Sequence, residues 1–170
     1  QFMFNASEMD PADTIASLAD FPFFTPIGEA FQYSNQMVAV GGYITSLAAG
    51  GSLPTLAADY EAAMQERVFG PIGMEHTTLD MTEAAANPNH ASSHGYEVDG
   101  LYHVQPLSAE ELLAPVAPAA MAWSNVDDLS LYLMTLMANG VAPGGERVVS
   151  AENLSETWRP QVPISSTESY

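Results

Sequence analysis

The 170 residues hold 21 Asp and Glu against three Arg and no Lys, a net charge of −18. Arg67, Arg147 and Arg159 are scattered, so the clustered cations that a nucleic acid or an anionic membrane surface demands are missing. With 47% hydrophobic residues the chain has core enough for one domain, or for a sizeable piece of a larger one, and its composition is not that of a disordered segment.

In chain order, Asp10-Pro-Ala-Asp-Thr reads as a capped helix start with Pro11 in the first turn and Ile15, Leu18 and Ala19 on one side. Phe21-Pro-Phe-Phe-Thr-Pro-Ile-Gly stops it. From Ser34 to Ala49, Met37, Val40, Ile44, Leu47 and Ala48 recur at helical spacing, and Gly50-Gly51 ends the run. The internal Gly41-Gly42 pair weakens such a helix, which points to close approach of another segment there. Leu56, Tyr60, Met64 and Val68 predict a further helix over 55–69, closed by Gly70-Pro71.

Alternation in Tyr96-Glu-Val-Asp-Gly-Leu-Tyr-His103 around Asp99-Gly100 predicts a small hairpin, with both turn residues at positive φ. The Pro/Ala-rich stretch from Leu113 to Ala122 is too short and too apolar for a disordered linker. Ser124-Asn-Val-Asp-Asp-Leu opens a helix that continues through Leu129, Tyr132, Leu133, Leu136 and Met137 to Asn139-Gly140. Ser150 caps a last short helix to Trp158. The chain is mainly α.

Missing residue types narrow the chemistry. Without Cys there is no disulfide, thiolate nucleophile or Cys-held zinc; without Lys there is no Walker A loop, Schiff base or Ser-Lys nucleophile pair within these residues. No apolar run reaches the ~18 residues of a membrane span, and the opening Gln-Phe-Met-Phe lacks the basic stretch of an export signal.

The densest feature is Gly28-Glu-Ala-Phe-Gln-Tyr33-Ser34-Asn35-Gln36, a turn that delivers Tyr, Ser and Asn to the mouth of a helix. Taken alone it is an ordinary cap, with Ser34 or Asn35 accepting free backbone N–H groups and Tyr33 packing as a staple. Three further elements follow in one order: Glu66-Arg-Val-Phe-Gly-Pro-Ile-Gly-Met74-Glu-His-Thr77, Trp123-Ser-Asn-Val-Asp-Asp-Leu129, and Asn139-Gly140. That series, spanning roughly Phe21 to Pro160, resembles the serine β-lactamase-related family, which joins AmpC-type β-lactamases, D,D-peptidases and their esterase relatives.

The resemblance implies an α+β fold with an active site between a helical and a sheet subdomain, this chain being the helical side: a single partial domain over 1–170. It implies that Tyr33 is the catalytic tyrosine, relaying a proton from the nucleophilic serine and later to the leaving group. Asn35 would hydrogen-bond the substrate carbonyl, and Ser34 would be a spacer. A free phenol ionises near pH 10, so only about one in a thousand is ionised at pH 7, and the relay needs neighbouring cations. The family takes them from a Ser-x-x-Lys motif and a Lys-Thr-Gly or His-x-Gly strand. This chain has no lysine, and His94-Gly95-Tyr96 lies on the wrong side of the Trp123-Ser124 helix, so the reading is of an internal fragment with the nucleophile upstream. Pro118-Ala-Ala-Met121 replaces a glycine pair common in relatives.

The expected partner is a small-molecule or peptide substrate with a carbonyl group (amide, β-lactam or ester), with no cofactor and no metal. Exposure of the face that meets the sheet subdomain implies self-association. Relatives are often periplasmic or secreted; the chain itself fixes no compartment. The rival from another class is a non-catalytic helical binding domain of the same architecture.

Other candidates weigh less. His90 and His94 at i, i+4, with His103 and Glu97 across the hairpin, have zinc-ligand chemistry, but Asn87-Pro-Asn-His90 favours a loop. His76 reads as flanking the Met74 turn. Glu110-Glu111 and Asp127-Asp128 read as first-turn charges rather than an acid/base pair. Ser52 lacks the final glycine of a nucleophile elbow and reads as a helix-boundary residue. Met64, Met74, Met121, Met134 and Met137 read as core, and burial accounts for Tyr96, Tyr102 and Trp123.

Overall fold

The computed structural model describes residues 9–23, 25–162 and 164. Asp10 opens α1 (Pro11–Ser17) with a reciprocal cap: its carboxylate accepts the Asp13 N–H at 2.8 Å, and the Asp13 carboxylate accepts the Asp10 N–H at 3.3 Å. A 3₁₀ turn (Leu18–Asp20) ends it before Phe21. Ser34 caps α2 (Asn35–Ala48), which stops where Gly50 takes φ 103°. Of the glycine pair inside α2, only Gly42 marks a close approach. A Cβ there would lie 2.5 Å from Cβ of Pro118, whereas at Gly41 it would meet open space.

The next helix does not close at Gly70-Pro71. After α3 (Leu56–Met64), Pro71 has no N–H to return to the carbonyl four residues back, so the backbone widens into a π turn (Gln65–Phe69), with the Gly70 N–H on the Gln65 carbonyl. One more turn, α4 (Gly70–Ile72), follows before Gly73 ends the run at φ 88°. A short α5 (Met81–Ala86), capped by Asp80, has too few apolar positions to show as a period in the sequence.

The hairpin is present as β1 (His94–Tyr96) and β2 (Tyr102–Val104), antiparallel, with Tyr96 opposite Tyr102. Its turn differs from expectation. Gly100 alone is at positive φ (81°); the Gly100 N–H bonds the Glu97 carbonyl and the Glu97 N–H bonds the Leu101 carbonyl, a three-residue loop of the bulged kind. The Pro/Ala-rich stretch becomes a 3₁₀ run (Leu107–Val116) and a single turn, α6 (Ala117–Ala120). The cap of α7 (Val126–Met137) is Asn125, one residue later than Ser124, accepting the Asp128 N–H at 2.8 Å. Ser150 caps α8 (Ala151–Glu156).

Two apolar clusters hold these elements. Ala39, Tyr43, Leu56 and Val116 pack with Ile15, Leu47, Tyr60 and Ala119, joining α1, α2, α3 and the 3₁₀ run. The Pro115 carbonyl accepts both the Tyr43 hydroxyl and the Thr14 hydroxyl, each at 3.2 Å, so these two buried hydroxyls are paired. The second cluster, Phe69, Ile72 and Met74 with Leu79, Leu131 and Val148, ties the π turn to α7.

The outward face of α7 is unusual. Its buried side carries Asp128 and Thr135, while Val126, Leu129, Leu133 and Met137, at helical spacing, are exposed. Met134 and Met137, expected in the core, are therefore on the surface, as are Tyr96 and Tyr102, whose rings make an edge contact at 5.2 Å. The periodicity was real but its direction was not encoded: apolar spacing marks a face and does not say what covers it.

Candidate functional site

A turn at Pro26–Glu29, with Gly28 at φ 89° and the Glu29 N–H on the Pro26 carbonyl, sends the chain into an extended approach to α2. Ser34, at φ −151° and ψ 115°, accepts the Met37 N–H at 3.3 Å and so fixes the first turn. Ser34 is thus a cap as well as the spacer between Tyr33 and Asn35. The two flanking side chains meet: the Tyr33 hydroxyl donates to Oδ1 of Asn35 at 2.6 Å. The Tyr33 ring does not pack as a staple; it is 63% exposed.

The electrostatics of this spot are those of a 14-residue helix N-terminus in a chain without lysine. Arg147 donates to the carbonyls of Asn139 and Val149, and Arg159 pairs with Glu156 at 3.0 Å.

The other tyrosines near α2 differ in kind. Burial pushes the Tyr43 hydroxyl up to about 12 and raises Tyr60 as well, so both are neutral packing groups, in edge contact at 5.9 Å.

A second polar assembly links segments some fifty residues apart. Asp128, 3% exposed, accepts the His76 N–H at 2.8 Å and the Thr77 hydroxyl at 2.7 Å, both on Oδ2. The Thr77 hydroxyl also lies 2.8 Å from Ser124 Oγ, and Thr78 and Trp123 exchange backbone hydrogen bonds at 3.0 and 2.9 Å. Asp128 lies in the first turn of α7, as its sequence position implies, and is in addition a buried clamp between the Met74 turn and that helix. Sequence reasoning missed it because neither half shows its partner, although both lie in the ordered series of motifs.

The side chains of the other three histidines bond locally. His90 Nδ1 is 2.7 Å from the Asn87 carbonyl, His94 Nδ1 is 3.1 Å from the Ser92 carbonyl, and His103 Nε2 is 2.7 Å from Asp99 Oδ2, while Glu97 accepts from Gln105. His90 and His94 lie in a loop and on a strand, so their i, i+4 spacing does not put them on one helical face. Ser52 is a boundary residue: its N–H and the Thr55 hydroxyl both donate to Asp59, whose carboxyl they hold below the usual carboxylate range.

The sequence profile of the Beta-lactamase family matches residues 2–167. The chain belongs to that family, in its serine β-lactamase-related sense. Among curated proteins none matches. Among solved structures this β-lactamase-family chain is similar to the octameric penicillin-binding protein homologue from Pyrococcus abyssi, with a TM-score of 0.70 and 22% identity over 94% of this chain and 32% of that one. The likeness places the helices and the hairpin in a fold of that kind. The chain spans about a third of the length of this relative.

Proposed function

We propose that this chain is the helical, Tyr33/Asn35-bearing part of a serine hydrolase that attacks an amide, β-lactam or ester carbonyl through an acyl-serine intermediate. The observation that carries the reading is the solvent-open phenol of Tyr33, hydrogen-bonded to Asn35 at the mouth of α2. In this arrangement Tyr33 donates its hydroxyl proton to the Asn35 amide oxygen. To act as a base it must lose that proton to solvent, and a neighbouring ammonium must replace the lost hydrogen bond.

In that state the phenolate takes the serine proton as the serine oxygen adds to the carbonyl carbon. It returns the proton to the departing nitrogen or oxygen as the tetrahedral intermediate collapses, leaving the acyl-serine. A water then repeats the sequence on the ester. Once Tyr33 no longer donates to it, the Asn35 side chain is free to orient the substrate amide. Serine and ammonium come from polypeptide beyond these 170 residues, in keeping with a chain that matches a third of its structural relative.

The test uses a chromogenic cephalosporin and a nitrophenyl ester. The 170-residue chain is expected to turn over neither, and a longer polypeptide that includes an upstream Ser-x-x-Lys to turn over at least one. Tyr33→Phe in the longer polypeptide should cost about 10²–10⁴-fold in kcat, the usual contribution of a positioned proton-transfer group. Unchanged turnover in that variant rejects the assignment. Self-association of the isolated chain through its exposed apolar surface belongs to the same reading; at −18 per copy it should be weak at low salt and grow with screening.

A further inference from the structure

A cavity of about 330 Å³ lies between the Met74 turn, α5 with the loop that follows it, and the start of α7, and is lined by Glu75, Glu83, Asn87, His90, Trp123 and Asn125 among others. Its walls are held by bonds already described. The Thr78–Trp123 backbone pair and the Asp128 carboxylate on the His76 N–H fix two of them. The loop is closed on itself, since the Asn87 side chain accepts the Asn89 N–H at 2.9 Å. Tyr33 does not line this space.

The lining carries hydrogen-bonding capacity that the fold leaves unused. Oδ1 of Asn87 and Oδ1 of Asn125 already accept the N–H groups of Asn89 and Asp128, so each carboxamide has its NH₂ to offer, with no partner among the described residues. The Trp123 indole N–H is buried and has no acceptor among the described residues. His90 Nδ1 lies 2.7 Å from the Asn87 carbonyl, which can only accept, so Nε2 of the neutral ring is left as an acceptor. The carboxylates of Glu75 and Glu83 are ion-paired to no described residue, and neither Lys nor Arg lines the cavity.

These groups select the chemistry of an occupant. A hydroxyl both donates and accepts, so a polyhydroxylated ring serves the carboxamides, the indole N–H and the imidazole alike. Two carboxylates without a cation repel an anion and favour an amine. The half-buried indole offers a flat apolar surface to the C–H face of a ring. The volume, at the low end for ligand pockets, takes one ring rather than a peptide segment.

We propose that this cavity binds an amino sugar, a pyranose that carries a free ammonium group. Its ring lies on the Trp123 indole, its ammonium pairs with Glu75 or Glu83, and its hydroxyls meet Asn87, Asn125 and His90. The site is separate from the Tyr33/Asn35 chemistry and does not depend on it.

The experiment titrates the 170-residue chain with protonated glucosamine, followed by tryptophan fluorescence and calorimetry. Binding should be one to one and millimolar, the range for so small a ligand in an open-sided cavity. Glucuronate carries the opposite charge on a sugar, and cyclohexylamine the same charge on a ring without hydroxyls; each should bind at least about tenfold more weakly. Glu83→Gln, at an exposed position outside both core clusters, should weaken glucosamine about fivefold or more. Trp123→Phe, read by calorimetry, should weaken it about tenfold. Tyr33→Phe should bind as the parent does.

Four results overturn the proposal. Absence of saturable glucosamine binding rejects the site. Equal binding of cyclohexylamine makes it a pocket for organic cations at large. Equal binding of glucuronate removes the two carboxylates from it. Glucosamine binding unchanged by Glu83→Gln and Trp123→Phe puts the ligand elsewhere, and Glu83→Gln alone decides this point if Trp123→Phe fails to fold.

Discussion

Replacing Asp128 by Ala removes the acceptor that joins the Met74 turn to α7. Two donors lose their partner, the His76 N–H at 2.8 Å and the Thr77 hydroxyl at 2.7 Å, in a place where the carboxylate is 3% exposed. The Thr77 hydroxyl retains Ser124 at 2.8 Å, but the His76 N–H is left without that carboxylate. Hydrogen bonds to a charged acceptor contribute about 1.5–3 kcal/mol, and stranding a buried donor costs about 1–3 kcal/mol. Relief from desolvating the carboxylate offsets part of this. The expected net loss is about 3 kcal/mol.

Asp128→Asn separates geometry from charge. Both accepted bonds fall on Oδ2, so one amide oxygen placed there keeps both, and the amide NH₂ takes the Oδ1 position, 3.7 Å from His76 Nδ1. Its cost should be about 1 kcal/mol. With an unfolding entropy of about 0.36 kcal/mol/K for a chain of this length, the two variants should melt about 8 °C and about 3 °C below the parent. Calorimetry and urea unfolding read both. Equal losses, or a loss under 1 kcal/mol for Asp128→Ala, would refute the claim that this carboxylate is the joint between the two segments.

The two glycines of α2 should respond in opposite directions: Gly41→Ala, with open space around it, gains about 0.5–1 kcal/mol, while Gly42→Ala drives a methyl to 2.5 Å from Pro118 and costs about 1–3 kcal/mol, read in the same urea assay. Alkali should unfold the chain through Tyr43. The free phenol ionises near 10 and the buried one near 12, so above pH 10 the unfolded state binds fewer protons and stability falls, by about 2–3 kcal/mol at pH 12; Tyr43→Phe should flatten that slope in pH-dependent urea unfolding. Light scattering across salt should show apparent mass rising with ionic strength; mass highest at low salt would contradict repulsion as the brake on self-association.

Much of the helical architecture was legible because it is written locally. Asp10, Ser34 and Ser150 sit where side-chain acceptors are needed, and Gly50 and Gly140 sit where the backbone turns left-handed. What failed depended on partners distant in sequence. The helix break assigned to Gly70-Pro71 became a π turn because packing of Phe69 and Ile72 keeps the chain helical past the missing N–H. The place of Asp128 in the first turn of α7 was legible, but its role as a clamp was not, because Thr77 is 51 residues away. Tyr33 and Asn35 are two residues apart, so their contact was within reach of sequence reasoning.

The same distinction bears on the Tyr33/Asn35 site that we propose. A helix N-terminus can orient a phenol and an amide by local geometry alone, since Ser34 needs only the next turn of its own helix to cap it. It cannot supply a full positive charge, which in the proposed enzyme comes from another segment. Tyr33 is 63% exposed and belongs to neither core cluster, so in the proposed enzyme a cation from another segment can approach it. A purely structural tyrosine in this fold looks like Tyr43, sealed in the core and bonded to a carbonyl 72 residues away. Tyr33 has the opposite environment: it stands just outside α2, before the Ser34 cap, exposed and bonded to Asn35. It is this bond, which the exposed Tyr96 and Tyr102 lack, that supports the role we propose for it.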